Sequence, residues 1–179
     1  MMKKVLKYSG IISLIAAGVG FVLMMVTPAL FSQTEVLGVK LETWYSGTAA
    51  IFGKGQYQFV VGSTTKVGNF DESLAWNALL AWIFVLASLV ILLLGFILPM
   101  LKIRVLEKFA GILNLVTVGL LIAAGIFMFF TVPTFASANN FDADGWNLGA
   151  GWWIAAFLTL GAGVFAALPT IADLTGKRK

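Results

Sequence analysis

The chain has 179 residues, of which 60% are hydrophobic and 11% are charged, and its formal net charge is +4. Soluble proteins average about 45–50% apolar and about 25% charged residues, so this composition excludes a disordered chain and argues against a soluble enzyme. Cysteine and histidine are both absent. Disulfides, thiolate nucleophiles, Cys/His metal sites and imidazole catalysis are therefore excluded.

Four long stretches without charged residues predict four membrane spans. Crossing about 30 Å of hydrocarbon takes roughly 20 apolar residues, and each stretch is longer than that. We predict spans over residues 10–31, 76–101, 109–135 and 146–171. The third span is long enough that it must tilt or protrude into a headgroup layer.

Lysine and arginine residues predict the orientation of these spans. Nine lie on one side, at the two ends of the chain and in the short loop 102–108, and three lie on the other side, at Lys40, Lys54 and Lys66. Because basic residues favour cytoplasmic loops, we expect both termini in the cytoplasm of a multi-pass plasma-membrane protein. The first span could be a cleaved signal peptide, but its apolar run is too long and we expect it to be retained.

An internal duplication is predicted by a match between the second and fourth spans. Trp76-Asn77 aligns with Trp146-Asn147, and Leu98-Pro99 aligns with Leu168-Pro169. The chain would then be two tandem helix hairpins of the same orientation, related by an axis along the membrane normal. Chance similarity between apolar sequences is the alternative.

The first outer loop, residues 33–73, is too long for a passive connector. Residues 36–44 and 56–61 are rich in β-branched and aromatic side chains, and glycines between such stretches mark turns. We expect a small antiparallel sheet of three or four strands. A sheet of this size must pack on the helix ends or on the second outer loop, residues 136–145.

Four aromatic residues of the first outer loop are candidate interaction residues: Trp44, Tyr45, Phe52 and Phe59. They could equally form the apolar underside of the sheet. Asp142 and Asp144 are two carboxylates where Ca²⁺ takes six to eight oxygen ligands. We therefore expect no metal and no cofactor.

Polar residues inside the spans are few, and none of them is ionisable, which weighs against ion or proton transport. Asn114 is the most polar, either as an interhelical hydrogen-bond donor or as a pore-lining amide. Small residues recur every four positions at Ala155, Thr159, Gly163 and Ala167, where another backbone can approach closely. We predict that these five residues pack helices together.

The predicted topology resembles the claudin-like tetraspan architecture. The shared features are four spans, cytoplasmic termini, a long strand-forming first outer loop and a short second one. The resemblance covers the whole chain as topology. Only Trp44 can stand for the first tryptophan of the family's first loop, whose Gly-Leu-Trp and two cysteines are absent here. No functional residue is carried over. The chain also resembles small four-helix membrane proteins of bacteria.

These observations favour an all-α integral membrane fold, a single domain with four helices in two tandem hairpins and a small β-rich outer loop. We predict a non-enzymatic protein whose outer loop mediates protein contact in adhesion, scaffolding or assembly. A transporter or channel subunit with its pathway between protomers is the alternative, and a membrane enzyme is the third possibility. The expected partners are the lipid bilayer and another membrane or surface protein, or a second copy, and not nucleic acid.

Overall fold

The computed structural model describes residues 2–100 and 110–175. Within these ranges the helices are α1 (Met2–Val26), α2 (Gly47–Phe52), α3 (Trp76–Met100), α4 (Ala110–Phe129), α5 (Thr131–Ala138) and α6 (Ala150–Leu174). The strands are β1 (Pro28–Val36), β2 (Val39–Ser46), β3 (Lys54–Val61), β4 (Thr64–Asp71) and β5 (Trp146–Leu148). The predicted inner loop 102–108 and the basic C-terminal residues 177–179 lie outside the described residues.

Four of these helices are long and apolar enough to cross a membrane. The qualifying segments are Tyr8–Val26, Trp76–Ile97, Gly111–Phe129 and Ala150–Ala172. This agrees with the tetraspan topology expected from the charge-free stretches. The chain thus has the helices of a multi-pass membrane protein.

The four long helices pack in a ring. α1 lies against α6, α6 against α4, α4 against α3, and α3 closes the ring on α1. Polar side chains fasten neighbouring helices at their buried faces: the Ser13 hydroxyl donates to the Ala162 carbonyl at 2.8 Å, and the Trp152 indole N–H donates to the Met24 carbonyl at 3.2 Å. Such bonds satisfy groups that water could not reach in an apolar surrounding.

The prediction of an all-α fold is wrong, because the chain also forms a five-stranded antiparallel sheet in the order β4-β3-β2-β1-β5. The first outer loop contributes most of it, and the second adds the short β5 beside β1. Charge-free stretches locate apolar residues but do not distinguish a buried strand from a helix. β1 accordingly begins inside the predicted first span, at Pro28, where proline removes a helical donor.

Two other predicted spans also change at their sheet ends. In the third predicted span, helix α4 ends at Phe129 and the short helix α5 follows it, so this span is not one continuous helix. The fourth begins at Ala150, after β5. Because Trp146 lies in a strand whereas Trp76 opens helix α3, the two aligned Trp-Asn pairs have different structures; the duplication stays a prediction.

Helix α2 connects the sheet to the bundle. Its N-cap is Ser46, whose hydroxyl accepts from the backbone N–H of Ala49 at 3.2 Å and of Gln56 at 3.0 Å. Its residues Ala50 and Ile51 are fully buried against the bundle. The sheet is therefore seated on the helix ends, as expected for a sheet too small to be stable alone.

Candidate functional site

The hairpin between β1 and β2 ends in an exposed apolar turn. Val36 pairs with Val39, and Leu37 and Gly38 between them have φ values of 51° and 77°. Such two-residue turns favour Asn-Gly, because an ordinary side chain at positive φ costs about 1–2 kcal/mol. Leu37 is 99% exposed, and Val36, Val39 and Val61 are exposed beside it. We call these four residues the hairpin tip.

The four aromatic candidates do not form one surface. Trp44 stacks on Phe31 with ring centroids 4.8 Å apart, on one face of the sheet. Tyr45 follows it in the strand and so points to the other face. Phe52 packs edge-on against Trp82 of α3 at 5.2 Å and is 38% exposed, and Phe59 is half-buried on β3.

Tyr45 is the centre of an aromatic cluster that joins the two loops. Its ring lies 5.1 Å from Phe70, 5.2 Å from Phe135 and 5.3 Å from Trp146, measured between centroids. Phe135 and Trp146 belong to α5 and β5. Tyr45 therefore holds the sheet against the second loop, which agrees with the alternative that loop aromatics form the underside of the sheet.

A cavity of about 500 Å³ opens beside this cluster. We call it the acidic cavity; its lining residues are Tyr45, Tyr57, Asn69, Phe70, Asp71, Glu72, Asn139 and Phe141. It combines aromatic rings with two carboxylates and two amides. Its volume is within the range of about 300–1,000 Å³ typical of small-molecule sites.

The two carboxylates of the acidic cavity have different surroundings. Asp71 lies 3.8 Å from the Lys54 ammonium in an ion pair whose two side chains are largely exposed, so the pair contributes little. Glu72 has no ion-pair partner among the described residues, and its backbone N–H donates to the Gly53 carbonyl at 3.0 Å. That bond fixes the main chain from which the carboxylate projects.

The surroundings of Tyr45 change the pKa of its phenol. Burial raises the pKa of its phenol above the usual value near 10, and the Glu72 carboxylate and then Tyr57 raise that pKa further. The phenol of Tyr45 therefore stays neutral at physiological pH.

Asn139 closes the wall of the acidic cavity. Its Oδ1 accepts from the Ser73 backbone N–H at 3.1 Å, and its Nδ2 donates to the carbonyls of Ser73 and Phe135, both at 2.9 Å. This clasp ties the end of the first loop to α5. Since all three bonds are made within the protein, Asn139 shapes the wall rather than offering its amide to a ligand.

Tyr57 also lines the acidic cavity, beside the edge strand β4. It pairs with Gly68 of β4, and a Cβ placed on Gly68 would lie only 2.5 Å from the Tyr57 ring carbons. The ring thus rests directly on the glycine backbone. Only a residue without a side chain permits this position.

The predicted helix-packing residues lie mostly inside the bundle. Ala155 and Thr159 are buried against α1, where a Cβ on Gly20 would lie 2.9 Å from the Thr159 hydroxyl. Gly163 faces Ile122 of α4, and Ala167 is half-buried. The small side chains thus let α6 approach its neighbours within one copy of the chain.

Asn114 lies between α4 and α6. Its Nδ2 donates to the Ala166 carbonyl at 2.9 Å and to the Thr170 hydroxyl at 2.8 Å. Of the two interpretations offered by the sequence, the structure shows the interhelical hydrogen bond.

Sequence reasoning missed Leu37, Glu72 and Asn139. A signal existed for Leu37, because a residue directly before a glycine that separates two strand-like stretches occupies the turn itself. Glu72 and Asn139 carried no such signal, since only the folded chain brings their separate loops together.

The chain matches no protein-family model and no curated protein. Any assignment of function therefore rests on the geometry of the chain itself.

Proposed function

We propose that this chain is a non-enzymatic multi-pass membrane protein whose sheet contacts another protein through the hairpin tip. The excess of lysine and arginine near the chain termini and in the sequence 102–108, over the three lysines of the first outer loop, supports an orientation with the sheet outside and both termini in the cytoplasm. We propose the plasma membrane as the location. Strands in the loop after the first span and in the loop after the third support the resemblance to claudin-like tetraspans as a proposal about architecture.

The observation that carries this proposal is the exposure and backbone conformation of Leu37. Two unfavourable features coincide there: a leucine side chain that is 99% exposed and a positive φ of 51°. Asparagine would relieve both, because it is polar and tolerates this backbone conformation. Burying a leucine side chain gains about 1.5–3 kcal/mol, which a partner with an apolar cleft would supply.

The hairpin tip is also placed for contact at a distance. Leu30, near the base of β1, is fully buried, and Leu37 lies seven residues further on, in the turn that directly follows the strand. At about 3.4 Å per residue, this is a reach of about 24 Å from the seated base of the sheet. A partner can therefore engage the hairpin tip without touching the helices.

The test combines local stability with partner capture in the native membrane. Leu37→Asn should raise the thermal midpoint of the purified protein slightly, because it removes the conformational strain. The same substitution should remove a crosslink formed from a photoreactive residue at Val39 to a discrete protein that mass spectrometry identifies. Val67→Thr is the matched control, since Val67 is also exposed and apolar but lies on β4, away from the hairpin tip.

Three outcomes would contradict the proposal. A crosslink that persists undiminished in Leu37→Asn would place the contact elsewhere. Crosslinks to lipid alone would make the hairpin tip a membrane anchor. Equal loss in Val67→Thr would show a general effect on the sheet rather than a contact through Leu37.

A transporter or channel subunit is the second candidate, favoured by one observation. Within the described residues, four buried polar side-chain atoms of the bundle and its sheet end lack hydrogen-bond partners; they belong to Trp82, Ser88, Thr131 and Thr159. Buried polar groups are normally bonded to protein or to ordered water, so these sites would suit a hydrated path. Conductance of the pure protein in liposomes, unaffected by Leu37→Asn, would favour this candidate over protein contact.

A further inference from the structure

We propose that the acidic cavity binds a small organic cation, an alkylammonium or quaternary ammonium group, at a site separate from the hairpin tip. The carrying observation is the combination, around one cavity of about 500 Å³, of several aromatic rings and a carboxylate that has no ion-pair partner among the described residues. Tyr45, Tyr57 and Phe141 supply the rings, and Glu72 supplies the charge. This inference does not depend on the proposed protein contact.

The aromatic walls suit a cation with an apolar surface. The faces of tyrosine and phenylalanine rings are electron-rich and attract ammonium groups, which is how cages of such rings recognise methylated amines. Tyr45 and Phe141 lie nearly parallel, with centroids 6.4 Å apart, and Tyr57 is tilted against Tyr45 at the same separation. The three rings are thus neighbours within the cavity lining.

The carboxylates favour an organic cation over a metal ion. Asp71 and Glu72 are the acidic residues that line the cavity, whereas Ca²⁺ takes six to eight oxygens. Lys54 lies 3.8 Å from Asp71, whereas Glu72 has no ion-pair partner among the described residues, so we choose Glu72 as the main contact of the ligand. One carboxylate and several rings match a single, diffuse positive charge.

The walls of the acidic cavity are held in place before any ligand arrives. The Asn139 clasp fixes the end of the first loop, and Gly68 leaves room for the Tyr57 ring against β4. Glu72 follows β4 directly, with its backbone N–H bonded to Gly53. A site that is already formed loses less entropy on binding, which favours affinity for small ligands.

The test is ligand binding to the full chain in mild detergent, measured by saturation-transfer NMR on the ligand. The probes are choline, its neutral isostere 3,3-dimethyl-1-butanol, and Nα-acetyl-lysine amide. We expect saturable binding of choline and little of the isostere. Stronger binding of the lysine derivative than of choline would identify the source of the cation as a basic side chain of a protein rather than a free ammonium compound.

Two variants remove the proposed contacts separately. Glu72→Gln should weaken choline binding about tenfold by removing the charge, and Tyr57→Leu should weaken it by a factor of about three to ten by removing a ring. Glu35→Gln is the matched control, because it makes the same charge change on β1 outside the cavity lining. Tryptophan fluorescence of each variant checks that the fold is retained.

Clear results would overturn the proposal. Equal binding of choline and its neutral isostere would show an apolar cavity without cation recognition. Choline binding unchanged in folded Glu72→Gln and in Tyr57→Leu would place the cation elsewhere. Absence of saturable binding of choline and of the lysine derivative to the folded wild-type chain would refute the site itself.

Discussion

Replacing Gly68 by alanine should destabilise the protein only while Tyr57 is present. Gly68 does not have a positive φ, so its backbone accepts any residue, and alanine in a strand is favoured over glycine by about 0.5–1 kcal/mol. The new methyl group, however, would lie 2.5 Å from the Tyr57 ring. Ordinary carbon contacts are about 3.5–4.0 Å, so the ring must move by at least about 1 Å.

The size of the effect follows from the burial of Tyr57, which is 37% exposed. If the ring swings away, about 60–100 Å² of apolar surface returns to water, at a cost of about 1.5–2.5 kcal/mol. Subtracting the intrinsic gain of alanine leaves a net loss of about 1–1.5 kcal/mol. In a Tyr57→Ala background the same Gly68→Ala change should instead stabilise by about 0.5–1 kcal/mol, because nothing obstructs the methyl group.

The assay is a double-mutant cycle of wild type, both single variants and the double variant. Unfolding is driven by titrating SDS into the protein in mild detergent and is followed by tryptophan fluorescence. The predicted coupling free energy is about 1.5–2.5 kcal/mol. Gly119→Ala is a control, since a Cβ there meets no atom within 4 Å. Equal destabilisation by Gly68→Ala with and without Tyr57 would refute the reasoning and point to the backbone.

Two further outcomes test the bundle and its orientation. Gly20→Leu should separate α1 from α6 and lower the free energy of unfolding by about 2 kcal/mol or more. The control Leu93→Ile, at an exposed position of α3, should change it by less than about 0.5 kcal/mol. Equal losses for both variants in SDS unfolding would contradict the close packing of α1 on α6. The chain has no native cysteine, so single cysteines can report which side of the membrane a residue faces. Thr64→Cys should react with a membrane-impermeant maleimide in intact cells, and Arg104→Cys should react only after lysis. The opposite labelling pattern would reverse the proposed orientation of the chain in the membrane.

The sequence predicted helices well where apolar residues continued without interruption. α3 begins at Trp76, as expected from the start of its charge-free stretch. The prediction failed at Pro28 and Trp146, where equally apolar residues leave the helices and join the sheet. Hydropathy measures the free energy of transferring a side chain out of water, and an apolar side chain gains this free energy in a buried strand as well as in a helix. Pairing with a distant strand decides between the two.

The candidate site was predictable only in part. The sequence singled out Tyr45 as an aromatic loop residue, and the structure places it at the centre of the cluster. Alternation along β2 turns its neighbour Trp44 to the other face, so adjacency in sequence misled about a shared surface. The clasp between Asn139 and Ser73 joins two loops separated by two membrane-length helices, and no local pattern encodes such a pair.

The sheet and the bundle are joined through single residues at two adjacent points. Thr27 alone separates α1 from β1, Gly149 alone separates β5 from α6, and the Gly149 N–H donates to the Ala29 carbonyl at 2.8 Å. β1 also pairs with β5, and α1 packs along α6, so the segment from α1 to β1 and the segment from β5 to α6 lie side by side. A pulling force applied at Leu37 would act on β1 and then, through Thr27 alone, on α1, with no long linker between them. Pulling on the hairpin tip would therefore load the bundle directly, which is an effect separate from the binding of a partner.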